Sequence, residues 1–390
     1  DEASKARRLG GRPRRPWPQR ATACSRGLPP PAAAAAELAV GAGDLAARCG
    51  CPHHRSHHRD IMASAGPTGP ATRTQAVAVL SDSDLASKVE VQPGRFIYVG
   101  LTAKVARGRL RDTDEAVAIK RVDKSRLTDA SEMTSARNEI EIHRSLRHPC
   151  ISPLLLAVES RTAFVLVTPL MPAGDLHEAT KFSTIRECDC RNFADQLLHA
   201  LGHLHGRGVL HGDVKPHNVL LCKLGGRATI RLCDFGLSQC LALTEAGPSL
   251  LPFSGLRGTP GYFSPEALQQ RSYGCPADLW AVGITLFKLL AGYEAFYPAS
   301  AFEQGVIFEE EHWGIVTGAC KDLLHSLLCL DPEGRPTAAE ALGHAWLHEE
   351  LPEQPPAAAT EERTLFGPPP PSVMPFFAFR DLPPDVHCPA

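Results

Sequence analysis

The chain has 390 residues, of which 43% are hydrophobic and 22% charged, so its length and composition exclude a fibrous or wholly disordered protein. Its 41 Lys and Arg nearly balance its 43 Asp and Glu, and the net charge of −2 gives no general attraction to nucleic acid or anionic membranes. We therefore expect no nucleic-acid partner, and the lack of a run of about 18 apolar residues predicts no membrane span.

Residues 1–90 are predicted to be disordered. They alternate Arg/Pro-rich, Ala-rich and Cys/His-rich stretches without the period of a helix or strand. Residues 1–62 hold eleven Lys or Arg and five Asp or Glu, a net charge of +6, so the rest of the chain is acidic at −8. The Cys/His cluster at residues 49–58 lacks a second cysteine pair at zinc-finger spacing, and we interpret it as incidental rather than as a metal site.

Residues 93–348 have the periodic patterns of a folded domain. Residues 96–105 and 116–122 alternate in polarity and are rich in β-branched side chains, which predicts two strands. Residues 131–146 have apolar positions at helical spacing with charges between them. This first part of the domain therefore combines a small sheet with one main helix.

The second part of the domain is predicted to be mostly helical. A short strand at residues 164–167 closes the first part, and a helix follows at residues 190–205. Residues 219–221 and 229–232 form a predicted hairpin, and from residue 278 the pattern is helical almost to residue 347. Because strands come first and helices follow, we predict an α+β fold with two unequal lobes.

The chain ends in a Pro-rich segment. Residues 350–390 contain 11 prolines, including four in a row, which predicts an extended, disordered tail. Such a run is also a candidate ligand for an adaptor with an aromatic groove.

The cysteine pattern indicates a reducing cellular environment. The 13 cysteines are odd in number and often stand singly in apolar runs, as reduced thiols packed like small hydrophobic side chains do. We expect a cytoplasmic or nuclear location, and the basic, Ala/Arg-rich start leaves an organelle transit peptide as an alternative.

The chemistry is concentrated in residues 211–218, His-Gly-Asp-Val-Lys-Pro-His-Asn, followed by Asp-Phe-Gly from Asp234. In such a loop, Asp213 can orient a hydroxyl nucleophile and Lys215 can meet the transferring phosphate. Asn218 and Asp234 can hold Mg²⁺. Phosphoryl transfer needs these groups to converge on one γ-phosphate, so the pattern predicts a reaction with ATP and Mg²⁺.

These motifs resemble the eukaryotic protein kinase superfamily, in the family's order, across residues 93–348. Residues 116–120, Ala-Val-Ala-Ile-Lys, look like the strand whose lysine binds the α- and β-phosphates, and Glu139 stands where the family places that lysine's partner. Further matches include Gly-Thr-Pro-Gly-Tyr at residues 258–262 and Ser-Pro-Glu at residues 264–266. The resemblance implies the two-lobed kinase fold, with an antiparallel sheet and one main helix in the N-lobe and a larger helical C-lobe.

The resemblance also implies roles for individual residues. Lys215 and Thr259 are typical of the serine/threonine branch, so protein substrates with Ser or Thr acceptors are expected. Glu266 would pair with Arg335, and Asp278 would anchor the catalytic loop. The residues implied in ATP binding are Gly100, Val105, Ala118, Lys120, Glu139, Thr168, Pro169, Met171 and Leu220.

Two departures from the family pattern leave alternatives open. The glycine-rich loop keeps only Gly100, because Tyr98 and Ala103 occupy the other two glycine positions, which favours a pseudokinase or scaffold with weak turnover. Gly212 replaces the arginine that receives an activation-segment phosphate, which predicts activity without that phosphorylation. A glycine there is also typical of small-molecule kinases of the aminoglycoside and choline type, although Lys215 and residues 258–266 argue against them.

Overall fold

The computed structural model describes residues 79–351 except residues 101, 172, 182–183, 225–226, 246 and 298. Predictions about the Cys/His cluster, a transit peptide and the Pro-rich tail after residue 351 lie outside the described residues. Within the described part of the chain, no helix has both the length and the apolar character needed to cross a bilayer.

The N-lobe is built on a six-stranded sheet with the spatial order β1-β5-β6-β4-β3-β2. Its neighbours are antiparallel except for β1 and β5. The strands are β1 (Val79–Leu80), β2 (Val89–Val99), β3 (Ala103–Leu110), β4 (Ala116–Asp123), β5 (Leu156–Glu159) and β6 (Ala163–Pro169). The main helix, α2 (Ala130–Ser145), begins after the N-cap Asp129 and contributes buried side chains such as Ile140 to the core beneath the sheet.

The folded part begins earlier than the sequence indicated. Residues 79–90, assigned above to the disordered segment, contain β1, helix α1 (Asp82–Lys88) and the start of β2. A capping box between Ser81 and Asp84 starts α1, and Val89 after it is buried. This short helix escaped prediction because it has little apolar periodicity and is held mainly by its cap and its contact with the sheet.

The prediction of one strand over residues 96–105 was wrong. Strand β2 ends at Val99 and β3 begins at Ala103, and the Gly100 amide donates to the Ala103 carbonyl at 2.8 Å to close the turn. The residues at the end of β2 and at the start of β3 are mostly apolar. The sequence pattern therefore gave no sign that the chain reverses direction between them. The turn contains Gly100, which the resemblance assigned to the glycine-rich loop.

The C-lobe is mostly helical and surrounds the largest hydrophobic core. Its helices are α3 (Leu176–Thr180), α4 (Glu187–His205), α5 (Pro265–Leu268), α6 (Cys275–Ala291), α7 (Glu310–Trp313), α8 (Gly318–Leu327), α9 (Ala338–Leu342) and α10 (Ala345–His348). Helix α6 is almost wholly buried and ends at Gly292, whose φ of 78° is the left-handed conformation that favours glycine at a helix end. The helical pattern predicted from residue 278 is therefore interrupted after α6, where irregular chain and a 3₁₀ turn at Ala299–Gln304 intervene.

Short strands in the C-lobe position the loops that face the N-lobe. Strands β8 (Val219–Leu224) and β9 (Arg227–Leu232) form the predicted hairpin, which is longer than its sequence pattern indicated. Strand β7 (Val209–Leu210) pairs with β10 (Gln239–Cys240), and β11 (Leu243–Thr244) pairs with β12 (Gly247–Pro248). These pairings hold the chain on both sides of residues 211–218 and after Asp234. The two-lobed α+β fold is thus confirmed.

Candidate active site

A charged cluster joins the two lobes at the cleft. Lys120 on β4 lies 2.6 Å from Glu139 of α2 and 2.7 Å from Asp234, measured from Nζ to the carboxylate oxygens. A Cβ added at Gly236 would lie 3.3–3.4 Å from polar atoms of all three side chains, so the glycine leaves room for the cluster. Two carboxylates that are far apart in the sequence therefore contact the same lysine.

The charges in this cluster shift one another's pKa values. Lys120 is the main cause that lowers the pKa of Asp234 to about 2. Burial alone would lower the pKa of Lys120, but the carboxylates of Asp234 and Glu139 raise it above its ordinary value. Burial raises the pKa of Glu139, and Lys120 opposes that effect. The lysine therefore remains a cation at neutral pH. Its side chain is 23% exposed, so an anionic ligand can reach it.

A second network surrounds Asp213. Its carboxylate accepts a hydrogen bond from the Thr259 hydroxyl at 2.7 Å and lies 2.6 Å from the Lys215 ammonium group. Lys215 also donates to the Thr259 hydroxyl at 2.5 Å. The Asn218 amide nitrogen donates to the backbone carbonyl of Asp213 at 2.7 Å and to its carboxylate at 3.0 Å. The carboxylate is thus held in one orientation by three side chains.

Asp278 at the start of α6 anchors the loop before Asp213. Its carboxylate accepts from the backbone amides of His211 and Gly212, each at 2.9 Å, and from the His205 ring at 2.9 Å. Burial alone would raise the pKa of Asp278, but these partners bring it below its ordinary value. A buried carboxylate with its hydrogen bonds satisfied fixes the backbone that carries Asp213.

The Phe235 ring links α2 to the loop at residues 211–218. It is fully buried and lies 4.8 Å from the His143 ring of α2 and 5.2 Å from the His211 ring, measured between ring centroids. The His143 ring nitrogen Nε2 donates to the Ser152 carbonyl at 2.7 Å. Burial lowers the pKa of His143 to about 4, so the ring is neutral at pH 7. This packing keeps Glu139 of the same helix close to Lys120.

Two of the residues predicted as structural support, Glu266 and Arg335, form a buried ion pair. Arg335 makes two hydrogen bonds to the Glu266 carboxylate, at 2.8 and 2.7 Å, and its guanidinium carbon lies 5.1 Å from the Trp280 ring centroid. The Arg335 side chain is 0% exposed and that of Glu266 is 3% exposed. A bidentate pair this deeply buried fixes the end of residues 234–266, which the resemblance identifies as the activation segment, to the C-lobe.

The predicted adenine pocket lies along β4 and the segment that follows β6. Ala118 pairs with Thr168 across the sheet, and Val105 pairs with Lys120 on the other side of β4. Pro169 ends β6, and the amide after it donates to the Ala116 carbonyl at 2.9 Å, which sets the direction of the chain between the lobes.

Two further residues predicted to bind ATP, Met171 and Leu220, follow β6 and lie on β8, respectively. Met171 is buried, and its sulfur lies 3.1 Å from the Cys222 thiol. Leu220 on β8 forms a bridge with Asp175. Cys233, just before Asp234, has its pKa raised by burial, so its thiol is protonated at neutral pH.

Tyr98 covers the tip of the turn between β2 and β3. A Cβ at Gly100 would lie 2.7 Å from ring atoms of Tyr98, so a larger residue at this position would displace the ring. Tyr98 is 59% exposed and thus stands at the surface of the loop. The sequence identified both residues but gave no indication that one ring would lie over the other's backbone.

The donor atoms of the predicted metal ligands suit a hard divalent cation. Asp234 supplies carboxylate oxygens, and Asn218 directs its amide nitrogen to Asp213 and its amide oxygen away from it. Oxygen ligands of this kind are those that Mg²⁺ prefers. The donor chemistry of the two side chains therefore fits the cation that phosphoryl transfer requires.

Comparison with known proteins agrees with this geometry. Residues 92–347 match the family described as the protein kinase domain. Calcium/calmodulin-dependent protein kinase type 1 of Caenorhabditis elegans is 35% identical over 244 residues, which are 60% of this chain and 68% of that protein. Hormonally up-regulated neu tumor-associated kinase of Homo sapiens is 35% identical over 264 residues, 65% of this chain and 36% of that protein. Calcium/calmodulin-dependent protein kinase type II alpha chain of Drosophila melanogaster is 34% identical over 258 residues, 64% of this chain and 47% of that protein.

Proposed function

Because the chain belongs to the protein kinase family and is an ATP-dependent serine/threonine protein kinase, we propose that its cleft uses Mg²⁺-ATP and needs no phosphate on the activation segment. The observation that carries the proposal is the convergence of Lys120, Glu139 and Asp234. The amide of Cys233, the residue before Asp234, donates to the Asn218 carbonyl at 2.9 Å, and the Asn218 side chain belongs to the Asp213 network. Catalysis of phosphoryl transfer rests mainly on positioning the reacting groups and on neutralising the charge of the phosphates. Here Asp213 is held in one orientation, and Lys120 supplies a positive charge.

In this proposal Asp213 orients the substrate hydroxyl by accepting a hydrogen bond from it. Lys215, already paired with Asp213, offsets negative charge on the transferring group. The Thr259 hydroxyl contacts both Asp213 and Lys215 and so fixes their relative positions. Since Thr259 belongs to the segment after Arg257, the same contact connects catalysis to the region where a protein substrate would dock.

The cosubstrate would be held from both lobes. Lys120, oriented by Glu139, would bind the α- and β-phosphates, while Asn218 and Asp234 would hold Mg²⁺. Val105, Ala118 and Leu220 would enclose the adenine ring. Backbone groups of Pro169 and Met171, beyond the Thr168 side chain, would hydrogen-bond its edge. A bound divalent cation would supply charge neutralisation for the phosphates.

The activation segment is held by contacts that need no phosphate. Strand β10 pairs with β7, and Leu251 forms an antiparallel bridge with Tyr273. An apolar cluster of Leu210, Leu241 and Tyr273 supports the same region. Gly212, with φ of 79°, stands where the family's phosphate-binding arginine is expected, and a Cβ there would lie 3.0 Å from the Leu237 carbonyl oxygen. These contacts favour a segment that is ordered without modification.

A scaffold with weak turnover is the second candidate. The specific observation in its favour is the Tyr98 ring over Gly100, because a loop so covered offers fewer backbone amides to the β- and γ-phosphates. A small-molecule kinase is less well supported, since the Thr259 contacts tie a peptide-docking segment to Asp213 and Lys215.

A thermal-shift titration with ATP, with and without Mg²⁺, followed by a peptide phosphorylation assay, separates these candidates. The proposed function predicts a Mg²⁺-dependent shift and phosphate transfer to Ser or Thr, both lost in Asp234→Ala. The Asp213→Ala variant should bind nucleotide but lose turnover by orders of magnitude. A chain that shows neither the shift nor transfer would favour the scaffold.

Location and adaptor binding are further proposals. All nine cysteines among the described residues are free thiols, which supports a reducing, cytoplasmic or nuclear environment. The Pro-rich tail, almost all of it outside the described residues, is proposed as an adaptor ligand on its composition alone. Fractionation of cells and a pull-down with the tail peptide test the two separately.

A further inference from the structure

A polar cavity separates α2 from the activation segment. Its volume is about 390 Å³, and its walls are the first half of α2, the residues after Asp234, and Arg257. The helix contributes Ser131, Thr134 and Asn138 to the lining, and the segment contributes Gly236 and Gln239. The same two walls carry Glu139 and Asp234, so a group that draws them together acts directly on the charged cluster around Lys120.

One weak contact crosses this cavity. The Arg257 guanidinium donates to the Ser131 hydroxyl at 3.4 Å, which is long for a hydrogen bond, and both residues are exposed. Arg257 precedes Gly258 and Thr259, whose hydroxyl holds Asp213. The contact therefore connects α2 to the loop beside the catalytic carboxylate, but in its present form it contributes little.

We propose that Ser131 is a phosphorylation site whose phosphoryl group binds Arg257 across this cavity. The Ser131 oxygen would attack the γ-phosphorus of ATP, the bond between that phosphorus and the β–γ bridging oxygen would break, and ADP would leave as the hydroxyl proton is released. The ATP-dependent reaction is that of a protein kinase, either a second copy of this chain or another kinase. The effect on activity rests on the proposed function.

The charges around Ser131 are compatible with this modification. Two acids stand nearby in sequence, but the Asp129 carboxylate accepts from the Glu132 amide at 2.8 Å as the cap of α2. The Glu132 carboxylate is turned back to the Thr128 amide at 2.6 Å. Arg257 faces the hydroxyl from the other wall. A dianionic phosphate would replace one long neutral contact with charge-assisted hydrogen bonds to a fork-shaped guanidinium.

This pairing would compensate for the missing arginine at Gly212. A phosphate on the helix and an arginine on the segment would fix α2 to the segment by a direct ion pair. Since α2 carries Glu139, a fixed helix keeps the Lys120–Glu139 ion pair formed. The unmodified chain would be competent, because this ion pair is already formed in it. Phosphorylation of Ser131 would raise its activity by stabilising the pair.

The test uses the full chain with phosphoserine introduced at position 131 by genetic encoding. We expect kcat/KM for a peptide substrate to rise about tenfold, equivalent to about 1.4 kcal/mol. Hydrogen exchange in Ala130–Ser145 should slow at the same time. Both effects should disappear in Arg257→Gln, which should change the unmodified activity less than about twofold, because the contact it removes is long and neutral.

Phosphoserine at Ser87, an exposed residue of α1 outside the cavity lining, is the matched control and should change neither readout. Equal kcat/KM and equal exchange with and without phosphoserine at position 131 would overturn the inference, as would effects that persist in Arg257→Gln. If the unmodified and modified chains both lack activity, the proposed function fails, and the exchange comparison alone decides the inference.

Discussion

Thr259→Val is the change that most cleanly tests how Asp213 is positioned. The valine keeps the shape of threonine but removes a hydroxyl that donates to Asp213 at 2.7 Å and accepts from Lys215 at 2.5 Å. Lys215 still lies 2.6 Å from Asp213, so the charges remain paired and the loss is near that of one hydrogen bond to a charged group. Such a bond contributes about 1.5–3 kcal/mol, which corresponds to a fall in kcat of about 10–150-fold.

Steady-state phosphorylation of a peptide measures this effect as separate values of kcat and of KM for ATP. Thr259→Ser retains the hydroxyl and should stay near wild-type kcat, whereas Thr259→Val should lose kcat with little change in the KM for ATP. A urea midpoint within error of the wild type would show that the fold is intact. A Thr259→Val enzyme with kcat within about threefold of wild type would refute the role assigned to this contact.

Three further predictions concern stability and regulation. Glu266→Gln should lower the free energy of unfolding by about 3–5 kcal/mol, because Arg335 would keep a buried charge without its carboxylate; urea denaturation measures this, and a loss below about 1 kcal/mol would contradict it. Burial lowers the pKa of His143 from 6.5 to about 4, so the unfolded chain binds more protons and stability should fall as pH falls through that window. The urea midpoint should therefore depend less on pH between 6.5 and 4 in His143→Gln than in the wild type, and equal slopes would refute this. Thr244→Ala combined with Ser254→Ala should keep peptide phosphorylation near the wild-type rate, and a collapse would show that a phosphate there is required.

The part of the site that the sequence predicted best consists of residues in short motifs. Lys120, Asp213, Asn218 and Asp234 stand in local patterns whose spacing already reflects their chemistry. The partner of Lys120 on α2 was expected from the family resemblance, and the structure brings Glu139 within 2.6 Å of it. Pairs this distant in sequence depend on the tertiary fold, so periodicity alone could not have identified them.

Features without a local pattern were missed. Helix α1 precedes the predicted domain because a capped, polar helix has no apolar stripe to reveal it. The turn between β2 and β3 was hidden because alternation continues on both sides of it. The contact between Ser131 and Arg257 joins residues 126 positions apart, both exposed, and only the packing of α2 against the activation segment reveals it.

The proposed chemistry requires Lys120, Asn218 and Asp234, together with Asp213, to gather around one nucleotide and its cation. A crystal structure with Mg²⁺ and a non-hydrolysable ATP analogue tests this most directly. We expect Mg²⁺ bound by Asp234 and Asn218, Lys120 against the α- and β-phosphates, and the γ-phosphate next to Asp213. A nucleotide bound without metal at Asp234, or with its γ-phosphate directed away from Asp213, would contradict it.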